Sequence, residues 1–167
     1  MSKRTKRAVA CAALSYGVLG VAAPALAALG GTPTPPPAGA VSSSVLTSVA
    51  HFASGASGSS SAAPYTVTQT TFATGTTVRE YVSAAGAVFG IAWSGPTMPN
   101  LSVLLGTYFT QFDSARVALR TEHPGRGPLD LELPGLVVRS GGHMGSFSGQ
   151  AYLPQSLPAG VTADDIQ

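Results

Sequence analysis

Hydrophobic and polar positions divide the chain into stretches with different periods. From Ala8 to Ala23 apolar residues run on, interrupted only mildly by Ser15 and Tyr16. From Gly30 to Ala63 the composition is of low complexity. There Val41, Val45, Val49 and Phe52 recur at helical spacing with no charge on the opposite face, which predicts at best a short, marginal helix, disordered or weakly docked. From Pro64 the period changes to two. Thr, Val and aromatic residues over 65–72, 76–83 and 87–93 predict three strands; in the second, Val78, Glu80 and Val82 face one way and Arg79 and Tyr81 the other. The turns at Thr74-Gly75 and Ala84-Ala85-Gly86 are short, so these strands form an antiparallel meander.

The clearest helical stripe follows. Asn100 is a good N-cap, and Leu101, Leu104, Leu105, Tyr108, Phe109 and Phe112 fall on one face of a helix over 101–115. Thr121 to Pro128 breaks the pattern with Pro and Gly. Leu129, Leu131 and Leu133 then alternate with Asp130 and Glu132, and further strands are predicted over 136–140 and 147–153. Gly141 and Gly142 are expected to allow positive φ in the hairpin between them, and 154–167 reads as an irregular tail. The expected fold is α+β: an antiparallel sheet of about five or six strands with one amphipathic helix packed on one face.

Charge changes the picture at the N-terminus. Lys3, Arg4, Lys6 and Arg7 precede the apolar run, and Pro24 and Ala25-Leu26-Ala27 follow it. This is the n-region, h-region and A-x-A site of a secretory signal peptide, with cleavage expected after Ala27. The expected organisation is therefore a signal peptide over 1–27, a Pro/Ser/Gly-rich linker over 28–63, and a small domain over 64–167. Without the four basic residues the formal charge falls from +2 to −2, no lysine remains, and the cations are Arg79, Arg116, Arg120, Arg126 and Arg139. A basic nucleic-acid stripe is excluded. Cys11 lies inside the signal, so the processed chain has no thiol, no disulfide and no cysteine nucleophile. A processed chain of this kind is expected in the periplasm, with no stable membrane insertion after cleavage.

Candidate chemistry centres on S-G-G-H-M-G-S-F-S-G at 140–149. His143 lies near Ser140, Ser146 and Ser148, with Asp130 or Glu132 as an acid, so the residue types of a Ser-His-acid hydrolase are present. No G-x-S-x-G elbow accompanies them, since the window Gly145–Gly149 has Phe147 at its centre. His51, His123 and His143 are far apart, with no H-x-H or H-E-x-x-H pair, so no metal or other cofactor is expected. Arg79 and Glu80 point to opposite faces and suit cross-strand partners such as Arg139 or Glu132, as surface ion pairs. Trp93, Tyr81 and Tyr152 suit either a shallow aromatic pocket or a core. The candidate binding surface is Arg139, His143 and Ser146 with Trp93 and Tyr152, since loops on a rigid sheet often carry binding.

These residues stand in an order that carries a resemblance. T-V-R-E-Y-V at 77–82, A-W-S-G-P at 92–96, L-L-G-T-Y-F at 104–109, S-G-G-H-M-G-S-F-S-G-Q-A-Y-L-P at 140–154, the terminal P-A-G-V-T-A-D-D-I-Q and the A-L-G-G at 28–31 together resemble an exported proteobacterial family, the domain of unknown function numbered 2844. The resemblance implies export into a Gram-negative envelope and assigns no catalytic or binding residue. The leading expectation is a non-enzymatic envelope binding or accessory module whose partner is another envelope protein. The alternative is a periplasmic hydrolase using His143 with a nearby serine.

Overall fold

The computed structural model describes residues 29–33, 40–46, 65–125 and 127–167, with side chains in the first strand only as far as Ser44. The expected signal segment and its cleavage site, most of the proline run, His51, the 54–63 linker and Arg126 lie outside the described residues.

The strands are β1 (Ala40–Leu46), β2 (Tyr65–Phe72), β3 (Thr77–Ser83), β4 (Val88–Gly95), β5 (Leu129–Leu133), β6 (Leu136–His143) and β7 (Ser146–Tyr152). They form one antiparallel sheet in the order β1-β2-β3-β4-β7-β6-β5. The sheet thus has seven strands, not five or six. The additional strand is β1, in the segment whose valine spacing predicts a marginal helix. An isolated helix of that length is unstable in water, and Ser and β-branched Val favour it little. Pairing with β2, from Ser42 opposite Thr71 to Leu46 opposite Val67, satisfies the same backbone groups instead.

The helical region is longer than 101–115 and is interrupted. Helix α1 (Leu101–Leu105) starts where expected, with Asn100 Oδ1 accepting from the Ser102 amide at 3.1 Å. Gly106 (φ 51°, ψ −120°) ends it, a 3-10 turn follows over Gly106–Tyr108, and α2 runs Phe109–Glu122. The apolar stripe continues through Phe112, Ala115 and Leu119, which holds α2 on the sheet beyond the expected end. The whole region carries the chain from β4, in mid-sheet, to β5 at the far edge.

Each face of the sheet has its own core. On the helix side Val78, Ile91, Trp93, Val138 and Ala151 pack with Leu105 and Phe112. On the other side Tyr65, Val67, Tyr81, Phe89, Val137 and Tyr152 pack with Val161 and Ile166 of the tail. The tail therefore closes the second face, turning through short 3-10 segments at Pro154–Ser156 and Ala163–Asp165. A register shift lets β4 serve both cores: Tyr81 opposes Gly90 while Val82 opposes Val88, so Phe89 is extra. Gly90 leaves room here for the tail, because a Cβ on it would lie 2.8 Å from Ile166 Cδ1.

One further piece completes the helix-side core. Leu29 is 2% exposed. Its amide donates to the Leu104 carbonyl at 2.9 Å, and Gly30 N–H donates to Val88 O and Val88 N–H to Gly31 O, each at 2.8 Å. The start of the expected linker is thus tied across the α1–β4 junction. Removing a buried leucine side chain costs both its transfer free energy and a cavity. We expect Leu29→Ala to lose about 2–5 kcal/mol of unfolding free energy, read as a lower urea midpoint. Val117→Ser, at a position 51% exposed, is expected to change the midpoint little.

Candidate functional site

The tail covers only part of the second face. What it leaves open is a groove of about 620 Å³. Strand register sets its floor. Cross-strand neighbours form one row, Gln69–Arg79–Ala92–Gln150–Arg139–Asp130, across β2, β3, β4, β7, β6 and β5. A parallel row reads Thr77–Ser94–Ser148–Gly141. Ala92, Ser94, Ser148 and Gly141 keep most of the floor low, Gln150 stands in its middle, and the two arginines flank it. Arg79 with Ile166 and Gln167 stands at one end; Arg139 with Pro128 and Asp130 stands at the other. Three strand spacings separate the two arginine positions, about 14 Å between backbones.

The two guanidinium groups are held differently. Arg79 Nε donates to Gln69 Oε1 at 2.9 Å, and its Nη1 donates to the main-chain oxygen of Gln167 at 2.7 Å. Tyr81 reinforces this from the next position: its hydroxyl donates to the same oxygen at 2.8 Å and accepts from the Gln167 amide at 2.9 Å. Burial pushes the Tyr81 phenol above its ordinary range, and its bond to the Gln167 backbone acts in the opposite sense. Arg139 is open to solvent. Its Nε donates to Asp130 and its Nη2 to Glu132, both at 3.3 Å. The Asp130 carboxylate raises the Arg139 pKa further.

The residues singled out from sequence are not all brought together. Arg139 and Trp93 line the groove. The Trp93 ring, however, packs into the helix-side core over Gly149, where a Cβ would lie 2.4 Å from Trp93 Cζ2. Its Nε1 is buried with no hydrogen-bond partner. Tyr152 and Tyr81 are buried in the core of the opposite face, so the three aromatics share no pocket. His143 and Ser146 oppose each other at the exposed end of the β6–β7 hairpin, outside the groove. The turn sits at Met144-Gly145, two residues beyond Gly142, which does adopt φ +124°.

The surroundings of His143 bear on the hydrolase alternative. Its Nδ1 lies 3.1 Å from the Met144 carbonyl, a contact within the turn. Ser140 Oγ donates to Ser148 O at 3.5 Å. Asp130 and Glu132 are engaged with Arg139. No serine hydroxyl and carboxylate converge on His143 among the described residues, so the arrangement offers no base-activated nucleophile. Nor does any group of three His, Cys, Asp or Glu residues among the described residues suit a metal ion. Glu80, expected on the surface, is 3% exposed.

Sequence reasoning missed that Arg79, Gln150 and Gln167 line the same groove as Arg139. Their alternation was readable, but not the pairing of β4 with β7 that places them on one row.

The model of a family described as "Protein of unknown function (DUF2844)" matches residues 25–166. No curated protein matches the chain, and no solved structure does. Among the described residues no helix is long and apolar enough to cross a membrane.

Burial of the Tyr81 phenol gives the fold a pH dependence. The folded-state pKa lies above the ordinary value of 10.0, so the unfolded chain releases this proton first. The contribution is complete below pH 10.0 and is lost as pH rises through and beyond that value. Tyr81→Phe is expected to cost about 1–2 kcal/mol at neutral pH through its lost hydrogen bonds, and to flatten the alkaline fall. Urea unfolding at neutral and alkaline pH checks both; equal alkaline slopes in the two proteins would refute the assignment.

Proposed function

The chain belongs to the DUF2844 family, and from that premise we propose that it is an exported, non-enzymatic binding or accessory module of the bacterial envelope, with the groove between Arg79 and Arg139 as its binding surface. The basic cluster, apolar run and A-x-A site support export to the periplasm with cleavage after Ala27. The loss of every lysine with the signal supports a partner other than nucleic acid. One observation carries the binding reading. A floor of Ala92, Ser94, Gln150, Ser148 and Gly141 lies between two arginines whose backbone spacing is set by strand register, Arg79 being bonded to the tail and Arg139 to Asp130 and Glu132. A rigid sheet that presents polar groups at fixed spacing can recognise a surface without moving.

The partner in this reading is another envelope protein. Arg139 forms the accessible end, because its bonds to Asp130 and Glu132 are long and solvent-exposed and so exchange readily for a partner's carboxylates. Arg79, bonded to Gln69 and Gln167, forms the fixed end.

Two measurements test the reading. Osmotic-shock release with N-terminal sequencing is expected to give a periplasmic chain beginning at Ala28; a cytoplasmic, full-length chain would refute export. A photo-crosslinking residue at Ser148, in the groove, is expected to give an adduct in intact cells that Arg139→Ala weakens. The same residue at Val117, on the exposed helix surface, is expected to give none. Equal adducts at both positions would overturn the groove as the binding surface.

A further inference from the structure

The two edges of the sheet are built differently. At one edge β5 carries Asp130 and Glu132, both exposed, and α2 lies close by. Charges on an edge strand oppose pairing with another strand. At the other edge β1 carries no charge and no proline over Ala40–Leu46, and its one register irregularity falls at Val41, between Ala40 and Ser42. Val41 is 69% exposed, and Ser42, Ser43 and Ser44 are exposed as well. One side of β1 is hydrogen-bonded to β2; its other side faces no strand among the described residues.

The sequence of β1 has a second property. Val41-Ser42-Ser43-Ser44-Val45 reads the same in both directions about Ser43. A two-fold interface must be self-complementary, since residue i meets j and j meets i. Antiparallel pairing of two β1 strands centred on Ser43 meets that condition. It places Val41 opposite the partner's Val45, Ser42 opposite the partner's Ser44, and Ser43 opposite the partner's Ser43. Side chains stay small or β-branched throughout, which suits strand pairing, and no like charges meet. Pairing of β1 with β5 of another copy would instead be head-to-tail and open-ended, and the β5 carboxylates oppose it.

We propose that β1 is a homodimerisation edge: two copies of the chain pair their β1 strands antiparallel about Ser43, joining two seven-stranded sheets into one continuous sheet. The contact is a single strand wide, so the dimer is weak and reversible, and forms at high local concentration. The inference is independent of the groove and its partner, since the groove's nearest lining residue, Arg79 on β3, is two strands away from β1 in the sheet order.

Sedimentation velocity over a concentration series tests this on the processed chain beginning at Ala28, which carries no thiol. The wild-type edge is expected to give a monomer–dimer equilibrium. Val41→Lys is expected to abolish it without moving the thermal midpoint, because the position is exposed. Ser43→Cys provides the register test. Directly opposed residues have Cα atoms about 4.5–5.5 Å apart, within disulfide range. Air oxidation is expected to link Ser43→Cys dimers on the order of tenfold faster than Ala118→Cys, at an exposed helix position. A monomer at every concentration overturns the proposal and leaves the edge to a strand of another protein. So does a dimer unaffected by Val41→Lys, or equal cross-linking at Ser43 and Ala118.

Discussion

Six consecutive residues of β4, Val88 to Trp93, are buried. Alternating side chains point to opposite faces, so a strand buried throughout must be covered on both. In a sheet this small, that requirement recruits nearly every other part of the chain. Helices α1 and α2 cover one side with Leu105 and Phe112. The tail covers the other with Val161 and Ile166. Leu29 is tied in where the two elements flanking the core, α1 and β4, come together. The extra residue at Phe89 follows from the same constraint, because it lets one strand feed both cores in unequal amounts.

The tail is what gives the second face its shape. Ile166 fills the space left by Gly90, and Gln167 is fixed by Tyr81 and Arg79. Beside it, rows of Ser, Gly and Gln lie between the two arginines. The groove is bounded by Ile166 and Gln167 on one side and by Pro128 to Asp130 on the other. The same bonds that hold the tail on the core also orient Arg79 at the margin of the groove.

Much of the fold was legible in short patterns. The strands over 65–72, 76–83, 87–93 and 129–133 and the Asn100-capped helix follow from local periodicity, and local periodicity is what sequence records directly. Two elements escaped for a common reason. β1 and the tail have little pattern of their own, being Ser-rich in one case and Pro- and Gly-broken in the other, and each is ordered by the surface it lies on. The helix end was misplaced at Ala115, although Leu119 continues the stripe, because a 3-10 turn at Gly106 shifts its phase. For the site, Arg139 was identified from its loop-rich surroundings. His143 and Ser146 were grouped with it only because they are near in sequence; a hairpin carries them to its exposed end, away from the groove.

By itself the sequence determined most of the strands and the start of the helix, the lack of lysine in the body of the chain, and membership of a family without an assigned activity. These depend on residue type and spacing, which a single chain displays. Only the tertiary structure decided which residues become neighbours across strands, which face the tail packs on, and which residues line the groove beside it. Those outcomes rest on the pairing of β4 with β7, strands separated by a helix and two strands in sequence. Contacts of that range leave no local periodic trace, because they arise from burying both faces of one strand at once.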